Sequence, residues 1–173
     1  PAYKVEVKLG NVNPETGEWE IMARGNNVML GYYKDPVRTR AVISDDGWFR
    51  TGDLATVDEK GRFSIKGRLG NMILGPSGEN IYPEEIEQVI NCEEGVDESV
   101  VVERGGKLVA LVKFNSDFIN WNQAGEDKFF DMLQEKSSCL LNNVNRKLGK
   151  HSKINDVEVM KDDFEKTATQ QIR

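Results

Sequence analysis

Between Gly67 and Gly70 the hydrophobic patterning of this chain changes, and that change limits the chain to two differently built parts. Ahead of the junction the signals are strands and turns. Tyr3, Val5, Val7 and Leu9 alternate with polar residues, the period of a half-buried strand. Asn13-Pro14-Glu15-Thr16-Gly17 supplies turn chemistry, and Glu18 to Ala23 reads as the returning strand. Gly31-Tyr32-Tyr33 and Pro36 mark a loop, and Thr39 to Ile43 a short helix. Leu54 to Val57, the turn Asp58-Glu59-Lys60-Gly61 and Phe63 to Ile65 predict a hairpin. This half is expected to be sheet or small-barrel material.

Behind the junction the texture is mixed. Met72-Ile73-Leu74 is a short apolar run ending at Gly75-Pro76. A helix is expected from Pro83, because proline suits the first helical position and Glu84, Glu85 and Glu87 suit the dipole, with Ile86, Val89 and Ile90 as its buried stripe. Ser99 to Glu103 and Leu108 to Phe114 read as antiparallel strands around Gly105-Gly106, so Gly105-Gly106-Lys107 is expected as a hairpin turn despite its likeness to a phosphate loop. Phe129, Leu133, Leu140, Leu141, Val144 and Leu148 lie at helical spacing within Glu126 to Leu148, and Val157 and Val159 close with a strand. The order helix, strand, strand, helix, strand predicts a compact α+β domain. The expected organisation is residues 1–67 as the end of a β-rich subdomain, 68–70 as a hinge and 71–173 as the α+β domain. Glycine absorbs φ/ψ changes at low steric cost, which is what a hinge needs.

A chain of 173 residues with 38% hydrophobic and 30% charged residues can bury one good core or two small ones. Its net charge of −6 argues against nucleic acid, since phosphate binding wants a basic face. No stretch approaches the roughly 20 apolar residues of a membrane span, which leaves peripheral membrane contact and the oligomeric state open. The strand-like start at Pro1 suggests a piece of a longer protein. Cys92 and Cys139 form no CxxC pair, so metal binding is not expected and a reducing cytoplasm is. The single histidine, His151, leaves no Ser-His-Asp triad or multi-histidine metal site to build, and reads as an ordinary surface or structural residue.

Three places could carry chemistry. In Thr51-Gly52-Asp53 an aspartate after a tight glycine turn presents two acceptor oxygens on a rigid backbone, which suits the paired hydroxyls of a ribose; it equally suits a turn cap. Arg68, beside the junction, could clamp phosphate or carboxylate bidentately or pair with one of the many acids. Gly75-Pro76-Ser77-Gly78 could cradle phosphate or be a plain loop, and it lacks P-loop spacing.

The run from Gly47 to Glu87, GWFRTGDLATVDEKGRFSIKGRLGNMILGPSGENIYPEEIE, resembles the segment joining the two domains of the acyl-CoA synthetase/adenylation-domain/luciferase superfamily. SGENIYPEEIE is similar in particular to the long-chain fatty acid–CoA ligase branch. Gly17 to Ile21 and Asn27 to Tyr33 also resemble family motifs, with Trp19 where a small residue is usual. The tail, Phe164 to Arg173, resembles the last motif, whose lysine is essential for adenylate formation; Gln171 stands in the lysine's position, five residues beyond Lys166. The resemblance runs from Pro1 to about Phe114 and resumes at the tail.

This resemblance implies that residues 1–67 end a large N-terminal domain, that Asp53 binds the nucleotide ribose, and that Arg68 serves the ATP phosphate and ribose region. Gly70 would be the hinge, where relatives usually carry aspartate or lysine. Gly75, Ser77 and Gly78 would line the pantetheine tunnel once the smaller domain rotates. It implies a two-step ligase using a fatty acid, ATP with Mg2+, and CoA, none held tightly by this chain alone. The phosphate loop and acyl pocket belong to a front part not in this sequence, so the 173-residue chain by itself is expected to be inactive. Two other readings stay open. One is an adenylation domain serving a carrier protein, although such relatives carry an arginine and Glu-Leu-Gly where Asn80-Ile81-Tyr82-Pro83 stands. The other, prompted by Gln171, is a non-catalytic nucleotide- or acyl-CoA-sensing homologue.

Overall fold

The structure, a computed structural model, describes residues 4–12, 18–125 and 128–166. The turn expected at Asn13 to Gly17 and the tail position Gln171 lie outside the described residues. The chain divides into two compact units, Pro1–Met72 and Ile73–Arg173.

In the first unit, strands β1 (Val5–Val12), β2 (Trp19–Gly25), β3 (Phe49–Val57) and β4 (Phe63–Arg68) form a four-stranded antiparallel meander in sequence order. Of the two forms expected here, sheet or small barrel, it is the open sheet that forms: among the described residues β1 and β4 are its edges. Trp48, Leu54 and Ala55 are its buried apolar residues. Between β2 and β3 lies helix α1 (Pro36–Val42). Pro36 is therefore the first helical residue and no loop marker. Asp35 caps the helix by accepting the Arg38 N–H at 2.9 Å, and proline at this position forgoes only an N–H the first turn could not use.

The second unit holds a two-stranded ribbon, β5 (Ile73–Leu74) with β6 (Asn80–Ile81), then helix α2 (Pro83–Ile90), strands β7 (Val96–Arg104) and β8 (Lys107–Phe114), helix α3 (Phe129–Lys147) and strand β9 (Asp156–Met160). Helix α2 starts at Pro83 as its sequence demands, and buries Ile86 and Ile90. β7 and β8 form the expected hairpin, with Gly105 at φ 61° and Gly106 at φ 78°, the pair of left-handed residues that a tight two-residue turn requires. β9 adds to the other edge of β8 in parallel, Val109 opposite Asp156 and Lys113 opposite Met160. Parallel neighbours need a long crossover, and α3 supplies it. The core gathers Ile86 and Ile90 from α2, Val101 from β7, Ala110 and Val112 from β8, and Leu140 and Val144 from α3.

Side-chain amides fix the return into β9. Asn145 Nδ2 donates to the Ile154 carbonyl at 2.8 Å and its Oδ1 accepts the Ile154 N–H at 2.9 Å, tying α3 to the segment behind it. Asn155 repeats the device against Leu108, accepting its N–H at 2.9 Å through Oδ1. Mixed α and β elements in these two parts agree with the expected α+β class.

Candidate functional site

Strand β3 is bulged where it carries Thr51-Gly52-Asp53. Met22 pairs with Arg50 and Glu20 with Leu54, so three β3 residues stand against the single Ile21 of β2. On the other side Asp53 pairs with Arg68, Leu54 with Gly67 and Ala55 with Ile65, giving β4 one extra residue. Such irregularities bend a strand and re-aim its side chains. Gly52, at φ 75°, takes the left-handed conformation that this bulge needs.

The bulge is tied down from below. Thr51 Oγ1 donates to the Ile21 carbonyl at 2.7 Å and accepts the Asp53 N–H at 3.0 Å. Glu20, only 5% exposed, accepts the Gly52 N–H through Oε1 at 3.2 Å and the Arg50 guanidinium through Oε2 at 3.0 Å. A buried carboxylate needs such partners, and here they are the backbone and flank of the candidate site. Sequence reasoning passes over Glu20. A glutamate within a strand announces nothing until the register sets it beside Gly52.

Asp53 and Arg68 are brought together. Arg68 Nε lies 3.2 Å from Asp53 Oδ1, with the arginine side chain 54% and the aspartate 32% exposed. The Leu69 N–H donates to the Gly52 carbonyl at 2.8 Å, closing the chain back over the bulge. The arrangement presents a carboxylate and a fork-shaped cation side by side, facing solvent, on braced backbone. Hydroxyls can donate to the first and phosphate can accept from the second.

Gly70 sits in the turn after β4, where Asn71 N–H donates to the Arg68 carbonyl at 3.0 Å. A Cβ there would meet nothing within 4 Å, so the turn itself does not require glycine. Gly75, Ser77 and Gly78 form the loop of the β5–β6 ribbon. It is closed by Gly75 N–H to the Glu79 carbonyl at 2.8 Å and Gly78 N–H to the Gly75 carbonyl at 2.9 Å. Its Ser77 N–H donates to Glu79 Oε2 at 3.1 Å, so this loop's backbone is engaged by a side chain that the sequence does not flag. Lys166 is paired with Glu98. Among the described residues no group of three or more His, Cys, Asp or Glu could hold a metal ion, and no helix is long and apolar enough to cross a membrane.

No family model matches the chain. It is 37% identical over 154 residues to the putative acyl-CoA synthetase YngI of Bacillus subtilis, a match covering 89% of the chain and 26% of that protein. It is 40% identical over 102 residues to the long-chain-fatty-acid–CoA ligase FadD13 of Mycobacterium tuberculosis, covering 57% of the chain and 20% of that protein. Among solved structures, the o-succinylbenzoate–CoA synthetase MenE of Bacillus subtilis in complex with AMP superposes with a TM-score of 0.72 at 26% identity, over 99% of the chain and 33% of its own. The chain thus spans 26% and 20% of the lengths of these two curated relatives.

Proposed function

Because the chain is homologous to the acyl-CoA synthetases and ligases of the adenylate-forming superfamily and matches a C-terminal portion of such an enzyme, we propose that the whole protein is an AMP-forming acid–CoA ligase. A carboxylate oxygen attacks the α-phosphorus of ATP and pyrophosphate leaves, giving acyl-AMP. The CoA thiolate then attacks the acyl carbon and AMP leaves. No covalent enzyme intermediate is needed, so the protein contributes positioning and charge stabilisation.

The observation that carries this reading is the Asp53–Arg68 pair on its bulged strands. Asp53 accepts the ribose hydroxyls of the nucleotide, while Arg68 holds Asp53 in place and faces the phosphate and ribose region. Residues 1–67 end the large domain, 68–70 pivot about Gly70, and 71–173 form the mobile domain that brings Gly75, Ser77 and Gly78 to the pantetheine arm. Gln171 occupies the place of the catalytic lysine. Mg2+ arrives with the ATP phosphates, and none of the described residues is assigned to it. Long-chain fatty acids are the proposed acids, supported by the SGENIYPEEIE wording and by the name of one relative. The free, exposed thiols of Cys92 and Cys139 support a cytoplasmic setting.

The test is ATP–pyrophosphate exchange and CoA thioester formation by the full-length protein with saturated fatty acids of graded length. Long-chain acids should support both steps, and the 173-residue chain neither. Nucleotide or acyl-CoA binding without either reaction would favour a sensing homologue, the second reading that Gln171 supports.

A further inference from the structure

The Gly75–Gly78 loop is not held by its own backbone alone. Glu79, the residue just ahead of β6, turns its side chain back along the loop. Its Oε2 accepts the Ser77 N–H at 3.1 Å, and its Oε1 lies 3.4 Å from His151 Nδ1. The carboxylate also lies close against Gly75. A Cβ on Gly75 would come within 2.5 Å of the Glu79 carboxyl carbon and Oε1, and within 2.9 Å of its Cγ. Gly75 is therefore a space requirement of Glu79, distinct from the left-handed Gly78 at φ 84°.

His151 reaches this carboxylate from far along the chain. It stands in a single 3-10 turn, Lys150–Ser152, between α3 and β9. That turn is itself fixed, by the Ser152 N–H to the Gly149 carbonyl at 3.1 Å and by the Asn145 clamp on Ile154 just beyond it. The imidazole is 57% and the Glu79 side chain 22% exposed, so the glutamate is the more covered of the two. The Glu79 carboxyl is held below the usual range by accepting its own backbone N–H, against the opposing effect of burial, with His151 and the Ser77 N–H adding to the lowering. An ionised acceptor is the stronger anchor for an amide.

We infer that His151 and Glu79 form a latch that holds the Gly75–Gly78 loop in one conformation, which makes both positioning residues for the thiol-dependent step. The latch is a property of the described geometry; its link to the thioester step rests on the ligase reading above. A loop already pinned at the Ser77 amide has less freedom to lose when an extended thiol-bearing arm lies along it, and preorganisation of that kind strengthens binding. Because the Ser77 N–H is committed to Glu79, the arm would meet the remaining loop backbone.

The first arm of the test needs no activity. In the 173-residue chain, amide hydrogen exchange at Ser77 should quicken by about two- to fivefold in His151→Gln, the range set by a partly exposed side-chain contact. It should quicken further in Glu79→Ala, which removes the acceptor. Glu79→Gln keeps an acceptor oxygen and should match His151→Gln. Gly75→Ala leaves Glu79 and His151 unsubstituted, but its Cβ would push the carboxylate aside, so it should resemble Glu79→Ala. The second arm uses the full-length enzyme: His151→Gln should raise the KM for CoA by about the same two- to fivefold, with pyrophosphate exchange held within about twofold. Unchanged Ser77 exchange in all four variants would overturn the latch. Faster exchange with an unaltered CoA KM would overturn its positioning role. A wild-type enzyme that makes no CoA thioester would overturn the ligase reading and with it the positioning role, and the exchange data would still decide the latch.

Discussion

Asp53 and Arg68 are register partners on adjacent strands, and their side chains meet at 3.2 Å above a bulge that Glu20 braces from the buried side. The pair stands on sheet backbone, while the loop at Gly75–Gly78 belongs to the other unit. The proposed nucleotide contacts and the proposed thiol contacts thus fall in separately built parts of one chain.

Asp53→Ala in the full-length protein should weaken ATP binding by about 2–4 kcal/mol, since charged hydrogen bonds are worth roughly 1.5–3 kcal/mol each before non-additivity. Isothermal titration checks this. Unchanged affinity would leave Asp53 as a turn residue whose partner is Arg68.

Glu20→Ala should destabilise the first unit by about 1–3 kcal/mol, because the Gly52 N–H loses its acceptor. Loss of the Arg50 contact adds little, since that arginine is 45% exposed. Glu20→Gln keeps an acceptor and should cost less. Urea unfolding followed by tryptophan fluorescence in a Trp121→Phe background, where the remaining indoles are Trp19 and Trp48, reports this unit.

Glu87 supplies the pH prediction. Burial raises its carboxyl above the ordinary range, with the like charge of Glu84 adding to the rise and the Val101 N–H opposing it. A raised acid binds its proton more tightly in the folded state. Stability therefore falls as pH rises from the unfolded-state value through the raised folded one. Glu87→Gln can still accept the Val101 N–H, so it should be more stable than the parent at neutral pH, with the advantage fading as pH falls through the raised folded-state value and gone below the unfolded-state value of about 4.3. Thermal melts across that range would show the crossing, and a constant difference would place the effect elsewhere.

Gly70→Pro should depress thioester formation more than pyrophosphate exchange, because proline fixes φ near −65° and resists rotation. Equal losses in both assays would remove Gly70 from the hinge.

Gln171→Lys should raise pyrophosphate exchange by roughly tenfold or more, a discount on the 10²–10³ that a preorganised donor commonly contributes. Thiolysis of supplied acyl-AMP should barely change. An unaltered exchange rate would point away from this position; Lys166, engaged with Glu98, would then need to leave that partner to serve.

The parts of the fold legible in the sequence are those set by local rules. Alternation at Val5, Val7 and Leu9, the proline and acids at the start of α2, and the two glycines between β7 and β8 each mark an element that forms. Asp35-Pro36 carried a helix-start signal that the neighbouring Gly31-Tyr32-Tyr33 loop obscured. The pairing of β9 with β8 was not legible, since hydrophobic alternation says nothing about which edge a strand joins. The same holds at the site. Asp53, Arg68 and the glycine loop stand out as motif residues, whereas Glu20 and the Glu79–His151 contact exist only through register and long-range packing.

The parallel pairing of β9 with β8 also has a consequence for the chain while it is being made. Lys113 leaves the ribosome well before Met160, its eventual neighbour, so one edge of a strand as apolar as Leu108-Val109-Ala110-Leu111-Val112 emerges bare. At about 5–20 residues per second that edge waits several seconds for α3 and β9 to be synthesised. During that interval the nascent second unit is an open template for strand addition, and a chaperone able to cover a short apolar edge would be acting there.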